Sequence, residues 1–99
     1  MATFTIKRGD TSPALRYALP DGVDLAGASV GFSVRGLLTR APATVVTTDP
    51  PVVQYGWQAG DTDQVGLRPA EFEVTSADGR VETFPTGERM AVHIVDDLG

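Results

Sequence analysis

The single histidine is the first side chain in this sequence that could carry acid–base or metal chemistry. The 99 residues contain one histidine, His93, and no cysteine. A catalytic histidine needs a nucleophile within reach and a third group that orients it, and no serine or cysteine signature adjoins His93. One histidine without cysteine also supplies too few of the usual zinc ligands. We therefore expect His93 to be a solvent-facing or interface residue on a strand.

Two pairs of carboxylates could also do chemistry. Asp61 and Asp63 lie in a polar segment, and oxygen-rich loops can bind calcium. Two carboxylates are too few for such a site, whereas aspartate commonly closes a turn by accepting backbone N–H bonds. Glu71 and Glu73 have a spacing that could suggest a glycosidase pair, but residues two apart on a strand share one face, which is usually solvated.

We therefore predict that the protein is not an enzyme and needs no cofactor. No catalytic, cofactor-binding or metal-binding residue is predicted, and the residues of any binding surface stay unknown. No glycine-rich phosphate loop is present in the sequence either.

The tripeptide Gly-Asp-Thr occurs twice, at Gly9-Asp10-Thr11 and Gly60-Asp61-Thr62. The flanking residues of the two copies differ, which indicates two similar turns rather than a duplicated domain. The first copy overlaps Arg8-Gly9-Asp10, a known cell-adhesion tripeptide. Three residues recur by chance, so a turn is the preferred interpretation there as well.

Composition bounds the classes of function. The formal net charge is −5, and the eight basic residues are scattered, which argues against a nucleic-acid partner. No window approaches the ~20 apolar residues of a membrane span, and the first residues lack the apolar stretch of a secretory signal. We expect one domain over residues 1–99, with no nucleic-acid partner, no membrane insertion and no export by the usual route.

The apolar residues alternate with polar ones, as they do in strands that have one buried face. The predicted strands cover residues 3–7, 15–19, 28–35, 43–48, 53–57, 70–75, 80–84 and 90–95. Asp78-Gly79 is the strongest hairpin signal, because Gly accepts a positive φ. Residues 36–42 are predicted to be a connection, and 36–41 is the one place where a helical turn is plausible.

These elements predict an all-β fold, an immunoglobulin-like antiparallel β-sandwich of about seven or eight strands. Its core is expected to contain Phe32, Tyr55, Trp57, Phe72, Val92 and Ile94. The terminal strands, residues 3–7 and 90–95, are the expected sheet edges, where unpaired backbone groups must be covered, blunted or used for docking.

The order of several short motifs resembles a known pattern. The motifs are Ile6-Lys7-Arg8-Gly9-Asp10-Thr11, Val23-Asp24-Leu25-Ala26-Gly27-Ala28-Ser29-Val30-Gly31-Phe32, Val53-Gln54-Tyr55-Gly56-Trp57, Gly60-Asp61-Thr62, Gly66, Glu71-Phe72-Glu73-Val74, Asp78-Gly79 and Thr83-Phe84-Pro85. Together they resemble the immunoglobulin-like domain of phage baseplate upper proteins and of small tail-associated proteins of phages and prophages. Arg68 departs from that pattern, which often has an aromatic residue there.

The resemblance implies a virion structural protein of a phage or prophage, made in the bacterial host cytoplasm and assembled into a tail or baseplate. Its implied partners are other phage tail or baseplate proteins, and it could also form a homo-oligomer. A carbohydrate- or cell-surface-binding module is the alternative, since a sandwich fold alone does not separate these functions. Exposed aromatic side chains would favour that alternative.

Overall fold

The computed structural model of this protein describes residues 2–98. Those residues form eight strands, whose bounds are β1 Ala2–Lys7, β2 Leu15–Ala18, β3 Ser29–Val34, β4 Leu38–Thr48, β5 Pro51–Tyr55, β6 Gly66–Thr75, β7 Val81–Phe84 and β8 Met90–Val95. Within that part of the chain there is no helix long and apolar enough to cross a membrane. The predicted all-β sandwich is confirmed.

The strands follow the spatial order β1-β8-β6-β3-β4-β5-β2, and β7 pairs with β6 beside β8. The first half of β4 pairs with β3 and its second half with β5, so β4 crosses from one layer of the sandwich to the other. All the pairs are antiparallel except β1 with β8, which is parallel. The two strands at the ends of this order, β1 and β2, are not paired with each other.

The core lies between the two layers and contains all six residues predicted for it. Alternation explains the result, because every second residue of a strand points to the same side of its sheet. Phe32 of β3 stacks against Tyr55 of β5 across the interior, with ring centroids 4.9 Å apart. Trp57 lies just beyond the end of β5 rather than on it, yet only 4% of its surface is exposed.

The hairpin between β6 and β7 forms where Asp78-Gly79 predicted it. Gly79 has a φ of 88°, and its N–H donates to the Ser76 carbonyl at 2.9 Å. The Ser76 hydroxyl donates to Asp78, which lowers the pKa of that carboxyl; the backbone N–H of Arg80 has the same effect.

The connection predicted at residues 36–42 is wrong, because β4 already begins at Leu38. Residues 35–37 form a tight turn that returns the chain along β3. The Arg40 N–H then donates to the Ser33 hydroxyl at 2.9 Å. The strand was missed because it contains Pro42, and proline is unusual in strands. Proline is nevertheless tolerated where a strand has only one neighbour, as in this half of β4.

The prediction that residues 90–95 form a sheet edge is also wrong. β8 lies between β1 and β6, and both of its sides are paired. The other predicted edge, residues 3–7, is correct, since β1 ends the strand order on one side.

Candidate functional site

The side chains that could carry chemistry are dispersed over the fold. His93 is half-buried in the middle of β8, level with Thr5 of β1 and Leu67 of β6. Glu73 pairs with Arg40 at 3.4 Å, whereas Glu71 is exposed. Among residues 2–98, no group of three or more His, Cys, Asp or Glu side chains is placed to hold a metal ion.

Asp61 closes a turn, as predicted. One oxygen of its carboxylate accepts the Gln58 N–H at 2.8 Å and the Tyr55 hydroxyl at 2.5 Å. Burial raises the pKa of the Tyr55 phenol well above its ordinary value, and the hydrogen bond to Asp61 and the charge of that residue raise it further. Asp61 is therefore part of the packing at the end of the core.

The two Gly-Asp-Thr turns contact each other, which the sequence did not indicate. The Thr62 hydroxyl, on a residue that is 1% exposed, donates to the Asp10 carbonyl at 2.8 Å. The Gly9 N–H donates in turn to the Thr62 carbonyl at 3.2 Å. These bonds fix the end of β1 to the loop between β5 and β6.

The side of the sandwich between β1 and β2 is open. Counting strand directions along the sheet order, one parallel pair and five antiparallel pairs separate β1 from β2, so the two strands run antiparallel to each other. Within residues 2–98, neither strand has a partner on the side that faces the other. The opening therefore has a free strand edge on each side.

On β1, every second residue directs its backbone polar groups into this opening. Ala2 donates its N–H to the Arg89 carbonyl and Arg8 donates to Val95, so the even-numbered residues face β8. Because N–H and C=O groups alternate in direction along a strand, those of Thr3 and Thr5 face the open side. The Lys7 N–H faces it too, while the Lys7 carbonyl accepts the Asp10 N–H.

The same argument applies to β2. Leu19 donates its N–H to the Pro51 carbonyl at 2.9 Å. Tyr17 and Leu15 lie two and four residues before Leu19, so their backbone N–H and C=O groups also point toward β5. The N–H and C=O groups of Arg16 and Ala18 consequently face the opening.

A cavity of about 170 Å³ lies between these two edges. Its lining includes four apolar side chains, Phe4 of β1, Leu15 and Tyr17 of β2, and Met90 of β8. Phe4 and Tyr17 are half-buried, and each stacks on a core ring, with centroids 5.8 Å from Trp57 and Phe72 respectively. An apolar cavity of ~150 Å³ can hold a benzene ring, so this one has room for a large apolar side chain.

The charges at the opening differ from those of the whole chain. β1 and β2 contain Lys7 and Arg16 and no carboxylate, although the chain has 13 acidic residues and a net charge of −5. A carboxylate does approach Tyr17: burial raises the pKa of the Tyr17 phenol, and the charge of Glu88 raises it further. Glu88 precedes Met90, which pairs with Ala2, so it belongs to the end of the opening where β1 begins.

Two larger cavities, of about 270 and 310 Å³, adjoin each other where β3 ends. They share Arg35, Pro69, Ala70 and Glu71, and the second is also lined by Glu88 and Arg89. Side chains of both charges line these grooves, and neither cavity has a phenylalanine, tyrosine or tryptophan in its wall. The opening between β1 and β2 is therefore the better candidate for a binding site.

Sequence reasoning missed this opening. The alternation in residues 3–7 and 15–19 places Phe4 and Tyr17 on inward faces, but it does not say whether a strand has one neighbour or two. The lack of carboxylates in β1 and β2 was visible in the sequence and is the one signal that sets these strands apart.

Comparison with known proteins gives a likeness of fold. CopC from Methylosinus trichosporium OB3b resembles this chain with a TM-score of 0.55 and 14% sequence identity, over 100% of this chain and 89% of CopC. The chain matches no protein family and none of the curated proteins. At this identity the likeness concerns the fold alone.

These findings overturn the phage resemblance. CopC is a structural neighbour and no phage family matches, so the predicted membership of the baseplate family is wrong, as is the predicted role as a virion tail or baseplate protein. The expected virion location and tail-protein partners rested on that resemblance and stay untested predictions.

The carbohydrate-binding alternative required exposed aromatic rings. All seven aromatic residues of the chain are buried or half-buried, and six of them stack on one another around Phe32. The geometry does not favour a sugar platform.

Proposed function

We propose that this chain is a non-catalytic protein-binding domain that accepts an extended segment of a partner polypeptide along the open side between β1 and β2. The observation that carries the proposal is the pair of unpartnered strand edges over an apolar cavity. An added strand binds through main-chain hydrogen bonds to an exposed edge, and pockets for alternate side chains give specificity. The opening offers both.

β1 is the edge that a partner strand would use. It has six residues where β2 has four, and Thr3 and Thr5 each present an N–H and a C=O on the open side. Edge strands are usually blunted by short length, by proline, by a β-bulge, by charged side chains such as lysine, or by a covering helix or loop. β1 contains no proline, and its one charge, Lys7, is its last residue, so residues 2–6 carry neither of these two devices.

A peptide titration with two variants of one residue tests the proposal. Linear peptides selected from a randomised display library would be titrated into the ¹⁵N-labelled domain. Thr5→Pro removes the N–H that faces the opening and leaves the bonds to β8 in place, whereas Thr5→Ala keeps that N–H. Losing one hydrogen bond of about 1 kcal/mol weakens binding about fivefold.

We expect the Thr5→Pro domain to bind the selected peptides about fivefold more weakly than the Thr5→Ala domain. Amide spectra of both variants check that each is folded. Equal affinities for the two variants, or peptide-induced shifts that avoid β1 and β2, would contradict the proposal.

A further inference from the structure

We propose that the segment received by the opening runs antiparallel to β1 and carries an acidic residue opposite Lys7, followed three residues later by a large apolar side chain. This inference rests on the proposed function and adds the direction and the chemistry of the partner segment.

The direction follows from the two edges. Since β1 and β2 run in opposite directions, a strand between them is antiparallel to one and parallel to the other. Antiparallel pairing is slightly more stable per residue, and β1 is the longer edge. The partner segment therefore runs antiparallel to β1, with its first residues beside Lys7 and its last beside Ala2.

The register follows from alternation. In an antiparallel pair, residues directly opposite each other project from the same face of the sheet. A partner residue opposite Phe4 therefore points inward, toward the cavity lined by Leu15, Tyr17 and Met90. A partner residue opposite Lys7 comes three positions earlier and points outward, beside an exposed ammonium group.

The position of the acidic residue in the partner follows from the charged side chains at the two ends of the opening. Among residues 2–98, Lys7 makes no ion pair, whereas Arg8 beside it pairs with Asp96 at 2.9 Å. At the other end of the opening, Glu88 disfavours a second carboxylate.

Arg16 also lines the cavity, but its side chain already donates to Gln54 at 3.0 Å. Lys7, which has no such partner among residues 2–98, is therefore the better contact for a partner carboxylate, so the acidic residue precedes the apolar one. Such complementarity at the rim of an interface affects specificity and association rate most.

A matched pair of synthetic peptides tests the inference. Two acetylated and amidated octapeptides of alternating threonine and valine would share a leucine and differ three residues before it, one carrying glutamate and the other lysine. Both are titrated at low salt into the full chain, into Lys7→Glu, and into Arg80→Glu. The last variant makes the same change in net charge at the hairpin tip, where the Arg80 side chain is 89% exposed.

We expect the glutamate peptide to bind the natural chain about three- to tenfold more tightly than the lysine peptide. Added salt should reduce this difference, because exposed charges are screened. Lys7→Glu should reverse the preference, and Arg80→Glu should leave it unchanged.

The alternative results separate the two proposals. Equal binding of both peptides, with the Thr5 amide protected from exchange, overturns the acidic partner and supports strand addition. If Arg80→Glu changes the preference for the glutamate peptide as much as Lys7→Glu does, the preference depends on the net charge of the domain. That result overturns the proposed contact with Lys7. No shift at Thr3 or Thr5 with either peptide at about 1 mM overturns both proposals. Concentration-dependent protection of Thr5 without peptide identifies a second copy as the occupant instead.

Discussion

The centre and the two ends of the sheet order are built from the same alternating pattern and have different neighbours. β3 and β6 have partners along both sides, and their inward rings, Phe32 and Phe72, are fully buried. β1 and β2 have a partner on one side only, and their inward rings, Phe4 and Tyr17, are half-buried. Alternation thus determines on which face of the sheet a side chain lies, while strand order determines how much of that side chain is buried.

The difference also separates stability from binding. A strand with two partners has no backbone group left for a ligand, so its residues act mainly in folding. A strand with one partner keeps a row of N–H and C=O groups that can bind a further strand. Substitutions should therefore affect unfolding most at the centre and binding most at the ends.

The largest expected effect is on stability at the centre. Phe72→Ala removes a fully buried ring and should lower the free energy of unfolding by about 3 to 5 kcal/mol. Phe4→Ala removes a half-buried ring and should cost about 1 to 2 kcal/mol. Urea denaturation of both variants measures the two losses. Equal losses would mean that the opening is covered in solution and that the comparison between centre and ends fails.

Much of the fold could be predicted from the sequence because it depends on local alternation and turn chemistry. Asp78-Gly79 located a hairpin because the turn needs a positive φ, which Gly79 adopts. The start of β4 was missed because Pro42 is unusual in strands, and its tolerance there depends on the missing neighbour of that half of β4.

The candidate site was less accessible from sequence because it is a property of strand order. Nothing local to residues 90–95 indicates that β1 lies beside them in parallel and removes their free edge. The contact between Thr62 and Asp10 likewise joins residues 52 positions apart. Neither arrangement follows from alternation or turn chemistry.

A smaller effect is expected where the core meets the loop between β5 and β6. Tyr55→Phe removes the hydrogen bond to Asp61 and should lower the free energy of unfolding at pH 7 by about 1 kcal/mol. Tyr17→Phe is the matched control at the open side, since the Tyr17 hydroxyl has no hydrogen-bond partner among residues 2–98. Its stability at pH 7 should change little.

Tyr55→Phe should also change how the free energy of unfolding depends on pH. The pKa of Tyr55 is higher in the folded chain than the value of about 10 expected when unfolded. The stability that comes from its protonated phenol is therefore present below pH ~10 and is lost as the pH rises above it. Tyr55→Phe should make the alkaline fall in the free energy of unfolding shallower. A fall as steep as that of the natural chain would show that Tyr55 does not contribute to it.

Amide hydrogen exchange along β1 tests the central claim most directly. In the free domain, the amides of Phe4 and Ile6 should exchange slowly because they donate to β8, and those of Thr3 and Thr5 should exchange fast because they face the opening. A bound extended peptide should slow exchange at Thr5 and leave Phe4 as it was. Thr3 and Thr5 as protected as Phe4 in a free monomer would mean that the β1 edge is already covered, and the account of an open, strand-accepting side would be wrong.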